Sequence, residues 1–143
     1  MLHSADQAAG LRRLFRRTPS AVVALFTSGR APRDLAVQTL VALTEGARRI
    51  VAIDEHGPER GSLLAAFGYP EAGDLLGALQ GPFEVSDTMR EGAEGLWVVP
   101  AAAAALAVPL LDDAQHARLE SAIAELQRRA DLLAIHTTGD ARN

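Results

Sequence analysis

The sequence predicts an α/β protein in which a parallel sheet of about four strands is flanked by helices, preceded by a separate N-terminal amphipathic helix. Three observations carry this: short apolar runs at 21–27, 49–54, 96–99 and 131–137, helix-period segments between them, and a turn signal at nearly every junction. Strands that alternate with helices pair in parallel, because each helix returns the chain to the same end of the sheet. Polar groups at the carboxyl ends of such strands face a common crevice, so chemistry is expected at Thr27–Arg33, Asp54–Pro58, Pro100 and 136–139.

Ser4 to Arg17 has Ser4 as N-cap, Ala8, Leu11, Leu14 and Phe15 on one face and arginines on the other, and Thr18-Pro19 ends it. Ala21 to Thr27 is valine-rich and reads as a buried strand. Asp34 is placed to cap a helix whose apolar face holds Leu35, Leu40, Val41 and Leu43, with Gly46 closing it. The strand at Arg49–Asp54 ends on an acid, and two short helices follow at Gly61–Phe67 and Asp74–Leu79. A strand at 96–99 stops at Pro100, and Pro109 limits the alanine run after it to two turns. Asp112 or Asp113 caps a longer helix, with Gln115 three after Asp112 in capping-box spacing and a stripe of Leu119, Ile123, Leu126 and Ala130, and a last strand covers 131–137. Two units result, an arm at 1–19 and a domain at 20–143.

The chain of 143 residues is long enough to bury one core. It lacks cysteine, which excludes disulfides, thiolate catalysis and cysteine-bound metal. No apolar run reaches membrane-spanning length and the N-terminus has no signal-peptide core, so a cytoplasmic protein is expected. The first 17 residues carry four arginines against one aspartate, +3 in all, so with a net charge of −4 the remainder carries −7. An acidic body of that kind is ill suited to holding nucleic acid. The basic arm allows weak contact with a membrane surface.

The segments RRIVAIDEHGPERGSLLAAFGY, GDLLGALQG, EGLWVVPAA and ADLLAIHTTGD, taken in order, resemble the deviant Walker ATPases of the MinD and ParA type. DQAAGLRRL, Asp6 to Leu14, is similar to the D-Q-A-x-x-L-R sequence ahead of the nucleotide domain in the FlhG (FleN) branch, whose members help to set flagellar number and position. The resemblance implies that Asp6, Gln7, Leu11, Arg12, Leu14 and Phe15 form an activator helix for FlhF, a GTPase of the signal-recognition-particle type. Gln7 would then orient the attacking water. It also implies a chain shorter than a whole family domain, with the first strand beside the Walker B strand. The far side of that first strand would be open to a second copy of the chain or covered by the N-terminal helix.

A phosphate loop needs consecutive backbone amides, a lysine and a magnesium-binding hydroxyl. The family's G-K-G-G-x-G-K-[ST], begun at Gly29, is broken here: Arg30 stands for the first lysine, Ala31 and Pro32 for glycines, and Arg33-Asp34 follows. The family's D-x-D after the second strand is Asp54 and His56, and its Walker B aspartate is His136. Gly29, Arg30, Arg33, Asp54, His56 and His136 therefore make up a degenerate nucleotide site. Magnesium prefers oxygen donors, so these histidines do not substitute for the lost acids. The expectation is a non-catalytic protein without a cofactor, with Asp54 as a remnant that hydrogen-bonds loop amides and the two histidines, which the resemblance puts at adjacent strand ends, as loop residues that lack a third metal ligand. The alternative is an interaction scaffold that pairs through its sheet edge.

Overall fold

In the computed structural model, residues 21–27, 33–46, 49–57, 61–69, 73–81 and 83–138 are described. The arm at 1–19 and the turn containing Gly29 and Arg30 lie outside them, as do the side chains of Arg33 and Asp34. The elements are β1 (Ala21–Thr27), α1 (Arg33–Gly46), β2 (Ile50–Asp54), α2 (Leu63–Ala66), α3 (Leu75–Gln80), β3 (Arg90–Ala93), β4 (Leu96–Pro100), α4 (Ala102–Ala107), α5 (Asp113–Arg129) and β5 (Leu132–Thr138). Short 3-10 turns cover Val85–Thr88 and Val108–Leu110.

The sheet has five strands in the order β1-β5-β2-β4-β3. The first three pairings are parallel, and β3 runs antiparallel to β4. The four expected strands are all present, and β1 lies beside β5 as the resemblance implied. The fifth, Arg90–Ala93, has no apolar run to announce it. It is held as a hairpin on β4 by the turn at Glu94-Gly95, where Gly95 takes a φ of 81°, a conformation that costs glycine little.

Successive strand residues face opposite sides, so each central strand feeds two cores. On one face Ile50 and Ala52 of β2, Leu96 and Val98 of β4 and Ala134 of β5 pack with Ala36 and Leu40 of α1 and Leu63 and Leu64. On the other, Val51, Ile53, Val99 and Leu133 meet Leu75 and Leu79 of α3, Ala104 of α4 and Ala122 and Leu126 of α5. Each fully buried leucine contributes about 1.5–3 kcal/mol, which makes these two layers the source of stability that holds the strand ends in place.

Three local expectations change. The inner face of α1 is Ala36 and Leu40, whereas Leu35 and Val41 are exposed, because the helix presents one narrow stripe to the sheet. The helix begins at Arg33, so Asp34 lies in its first turn rather than before it. Although apolar, β1 is not a buried strand. Among the described residues it pairs with β5 alone, and Val22 is 53% exposed. The capping box at Asp112 and Gln115 forms as expected, each side chain accepting from the other's backbone N–H.

Candidate functional site

Asp54 and His136 stand opposite each other in the parallel register of β2 and β5, Asp54 as the last residue of β2 and His136 two residues before the end of β5. Both follow the alternation of Ala52 and Ala134, so their side chains lie on the face covered by α1 and α2. The main chain around Asp54 is fixed from both sides: its carbonyl accepts from Ala101 N (2.7 Å), and Glu55 N donates to the His136 carbonyl (2.9 Å).

Both oxygens of the Asp54 carboxylate are engaged. Oδ2 accepts from the backbone N–H of Leu63 at the start of α2 (2.7 Å), and Oδ1 accepts from the N–H of His56 (3.1 Å). Ser62 sets up the first of these contacts by capping α2, its Oγ accepting from Ala65 N. Oδ1 also lies 2.9 Å from Nδ1 of His136. A carboxylate can only accept, so Nδ1 of His136 carries the proton. His56 stacks on His136, with ring centroids 3.9 Å apart and planes 14° from parallel, and its Nδ1 is 3.7 Å from the same Oδ1.

This cluster is interior: Asp54 and His136 are each 1% exposed and His56 7%. Burying polar groups of this kind is tolerated only when they are paired, and here the aspartate holds strand, loop and helix together. The three side chains offer donor atoms within 4.8 Å of one another, a grouping with the composition of a transition-metal ligand set.

Of the residues expected at the site, the structure thus unites Asp54, His56 and His136. Gly29, Arg30 and the arm residues Asp6, Gln7, Leu11, Arg12, Leu14 and Phe15 fall outside the described residues, and Arg33 is described only in its backbone at the start of α1. Sequence reasoning allowed the two histidines to converge but read them as loop residues without a third ligand; Asp54 supplies that third donor. Backbone amides on Asp54 were expected, but the Leu63 amide was not singled out, and Ser62, a good N-cap ahead of an apolar pair, was the available signal. Among the described residues no helix is long and apolar enough to cross a membrane.

No protein-family model and no curated protein matches the sequence, so similarity rests on structure. Cobyrinic acid a,c-diamide synthase from Mycobacterium smegmatis, solved with an ATP analogue and magnesium, aligns with a TM-score of 0.61 and 24% identity over 82% of this chain and 50% of that one. A plasmid partition protein from Borrelia burgdorferi aligns with a TM-score of 0.61 and 10% identity over 86% and 57% of the two chains. A Cyanothece McdA variant in complex with ATP gives 0.59 and 18% over 84% and 49%. The chain spans about half the length of these proteins. At these identities the likeness is one of fold: a mostly parallel five-stranded α/β sheet with flanking helices, of the ParA/MinD-like P-loop kind.

Proposed function

We propose that this chain is a non-catalytic regulator built on the MinD/ParA-type fold. The observation that carries the reading is the state of Asp54. In a hydrolytic site an acid at that position needs a free oxygen to position water, and a partner acid at the end of the neighbouring strand to hold hydrated magnesium. Here both Asp54 oxygens are taken by Leu63, His56 and His136, and the neighbouring strand end is an imidazole rather than a carboxylate. The phosphate turn in the sequence, with Arg30 and Pro32 and no lysine, agrees.

The finer reading follows the motif DQAAGLRRL: an FlhG-like regulator of flagellar biosynthesis or placement, whose Asp6–Arg17 segment acts on the GTPase FlhF. Calorimetry of the full chain with ATP and magnesium should detect no binding, and saturating full chain should raise GTP turnover by FlhF. Gln7→Ala should abolish most of that rise. Magnesium-dependent ATP hydrolysis would end the non-catalytic reading; unchanged turnover would end the FlhF reading and leave the former standing.

A second reading is favoured by β1. Among the described residues it pairs on one side only, and an unpaired edge is a template for another strand. A scaffold that self-associates or joins another MinD-like subunit through this edge predicts a dimer by sedimentation whose formation is indifferent to ATP and is weakened by Val22→Lys.

A further inference from the structure

We propose that Asp54, His56 and His136 form a binding site for a late first-row divalent ion, zinc foremost, in the place where the fold's relatives would handle magnesium and nucleotide. Donor chemistry points there first. Neutral imidazole suits zinc, copper, nickel and iron, while magnesium demands an oxygen shell, so two histidines and one carboxylate select against the ion that nucleotide chemistry uses.

The donors are already spaced for it. An ion held at about 2.0–2.1 Å in tetrahedral geometry keeps its ligand atoms about 3.3 Å apart. Asp54 Oδ1 is 2.9 Å from Nδ1 of His136 and 3.7 Å from Nδ1 of His56, values on either side of that edge length. The ion takes the place of the proton on Nδ1 of His136; the ring changes tautomer, with its proton on Nε2, so that it ligates through Nδ1 as a neutral imidazole. Tilting the His56 ring out of its 14° stack brings its lone pair onto the ion, a small motion because His56 stands on the loop after β2 while its two partners stand on strands. Water fills the fourth position.

Supporting groups fit as well. Oδ2 is held by the Leu63 amide at 2.7 Å, which leaves Oδ1 turned toward both histidines. Ligating carboxylates are commonly fixed by such an outer hydrogen bond. The parallel register that pairs Asp54 with His136 makes two of the three ligands part of the sheet itself, so little ordering remains to be done on binding.

The inference rests on the reading that this cluster no longer serves nucleotide, and the two fail separately: magnesium-dependent ATP hydrolysis overturns that reading, and the metal experiment tests only this one. Full-length chain is titrated with Co2+ and followed by visible absorption, then with Zn2+ to displace it. One ion per chain, with the intense bands of a tetrahedral nitrogen and oxygen site, is expected. His56→Ala and His136→Gln should each weaken binding by about tenfold to a hundredfold or more, while His116→Ala, on the exposed side of α5, should leave it unchanged. Zinc should raise the melting temperature of the parent chain and of His116→Ala but not of His56→Ala. The loop position of His56 makes that variant the one expected to fold. Absence of saturable binding, or binding that survives both His56→Ala and His136→Gln, overturns the site.

Discussion

At the scale of single residues, buried or half-buried acids do most of the organising. Asp74 shows this away from the candidate site. Its Oδ1 accepts from Leu76 N, capping α3, and from Ala104 N in the first turn of α4, while Oδ2 accepts from Ala103 N. One carboxylate therefore satisfies orphan amides of two helices, and it does so for α4 because the residue at that helix's own cap, Ala101, has no side chain able to accept. Charge at two helix N-termini adds to the hydrogen bonds. Asp74→Ala should cost about 2–3 kcal/mol, above the usual cost of losing one cap, and Asp74→Asn less, read from urea midpoints at unchanged slope. The cap of α3 was legible in the sequence as a polar residue ahead of an apolar run. The bond to α4 was not, since it joins residues about thirty apart that only the packed helices bring together.

At the scale of elements, the hairpin β3–β4 shows where local pattern misleads. Arg90-Glu91-Gly92-Ala93 has two charges and a glycine, a composition no strand rule favours, yet it forms the sheet edge because β4 offers an unpaired side and Gly95 permits the turn. Gly92 is there for a packing reason. A Cβ at this position would come within 2.6–2.9 Å of three ring atoms of Phe67, which covers the strand from the loop after α2. Gly92→Ala should therefore destabilise by about 1–3 kcal/mol through overpacking, and the double variant with Phe67→Leu should recover part of that loss, measured as a double-mutant cycle in thermal or urea unfolding. On α5 the reverse holds. The pair Asp112 and Gln115 was readable from spacing alone because a capping box is a local device, closed within four residues. Asp112→Ala should lower stability by about 1 kcal/mol in the same assay.

At the scale of the whole molecule, the order β1-β5-β2-β4-β3 puts β5, β2 and β4 inside the sheet and β1 at its edge. Val51, Ala52, Val98 and Ala134 are fully buried, while Ala21, Val22 and Ala24 of β1 are exposed. Native-state hydrogen exchange should reflect this: amides of β2 and β5 near Asp54 should exchange only through global unfolding, and those of β1 through local opening well below that limit. If β1 in the isolated chain is as protected as β2, another segment or copy must cover its open side. The same layout assembles the candidate site. Asp54, the last residue of β2, and His136, near the end of β5, meet because parallel pairing holds them opposite each other.

What the sequence determined by itself was whatever depends on short-range pattern: four of the strands, the helices between them, the cap of α5 and the departure of the phosphate turn from its working form. These follow from periodicity, capping spacing and the presence or absence of particular residue types, all of which act over a few positions. Only the tertiary structure decided that β3 joins the sheet, that Leu40 rather than Leu35 faces inward, and that Asp54 is held by the Leu63 amide and both histidines. These facts depend on which surfaces meet. His56 and His136 are 80 positions apart in the chain, and no local rule relates them. Their stack exists because β2 and β5 pair in parallel and the two cores on either side of the sheet hold that register.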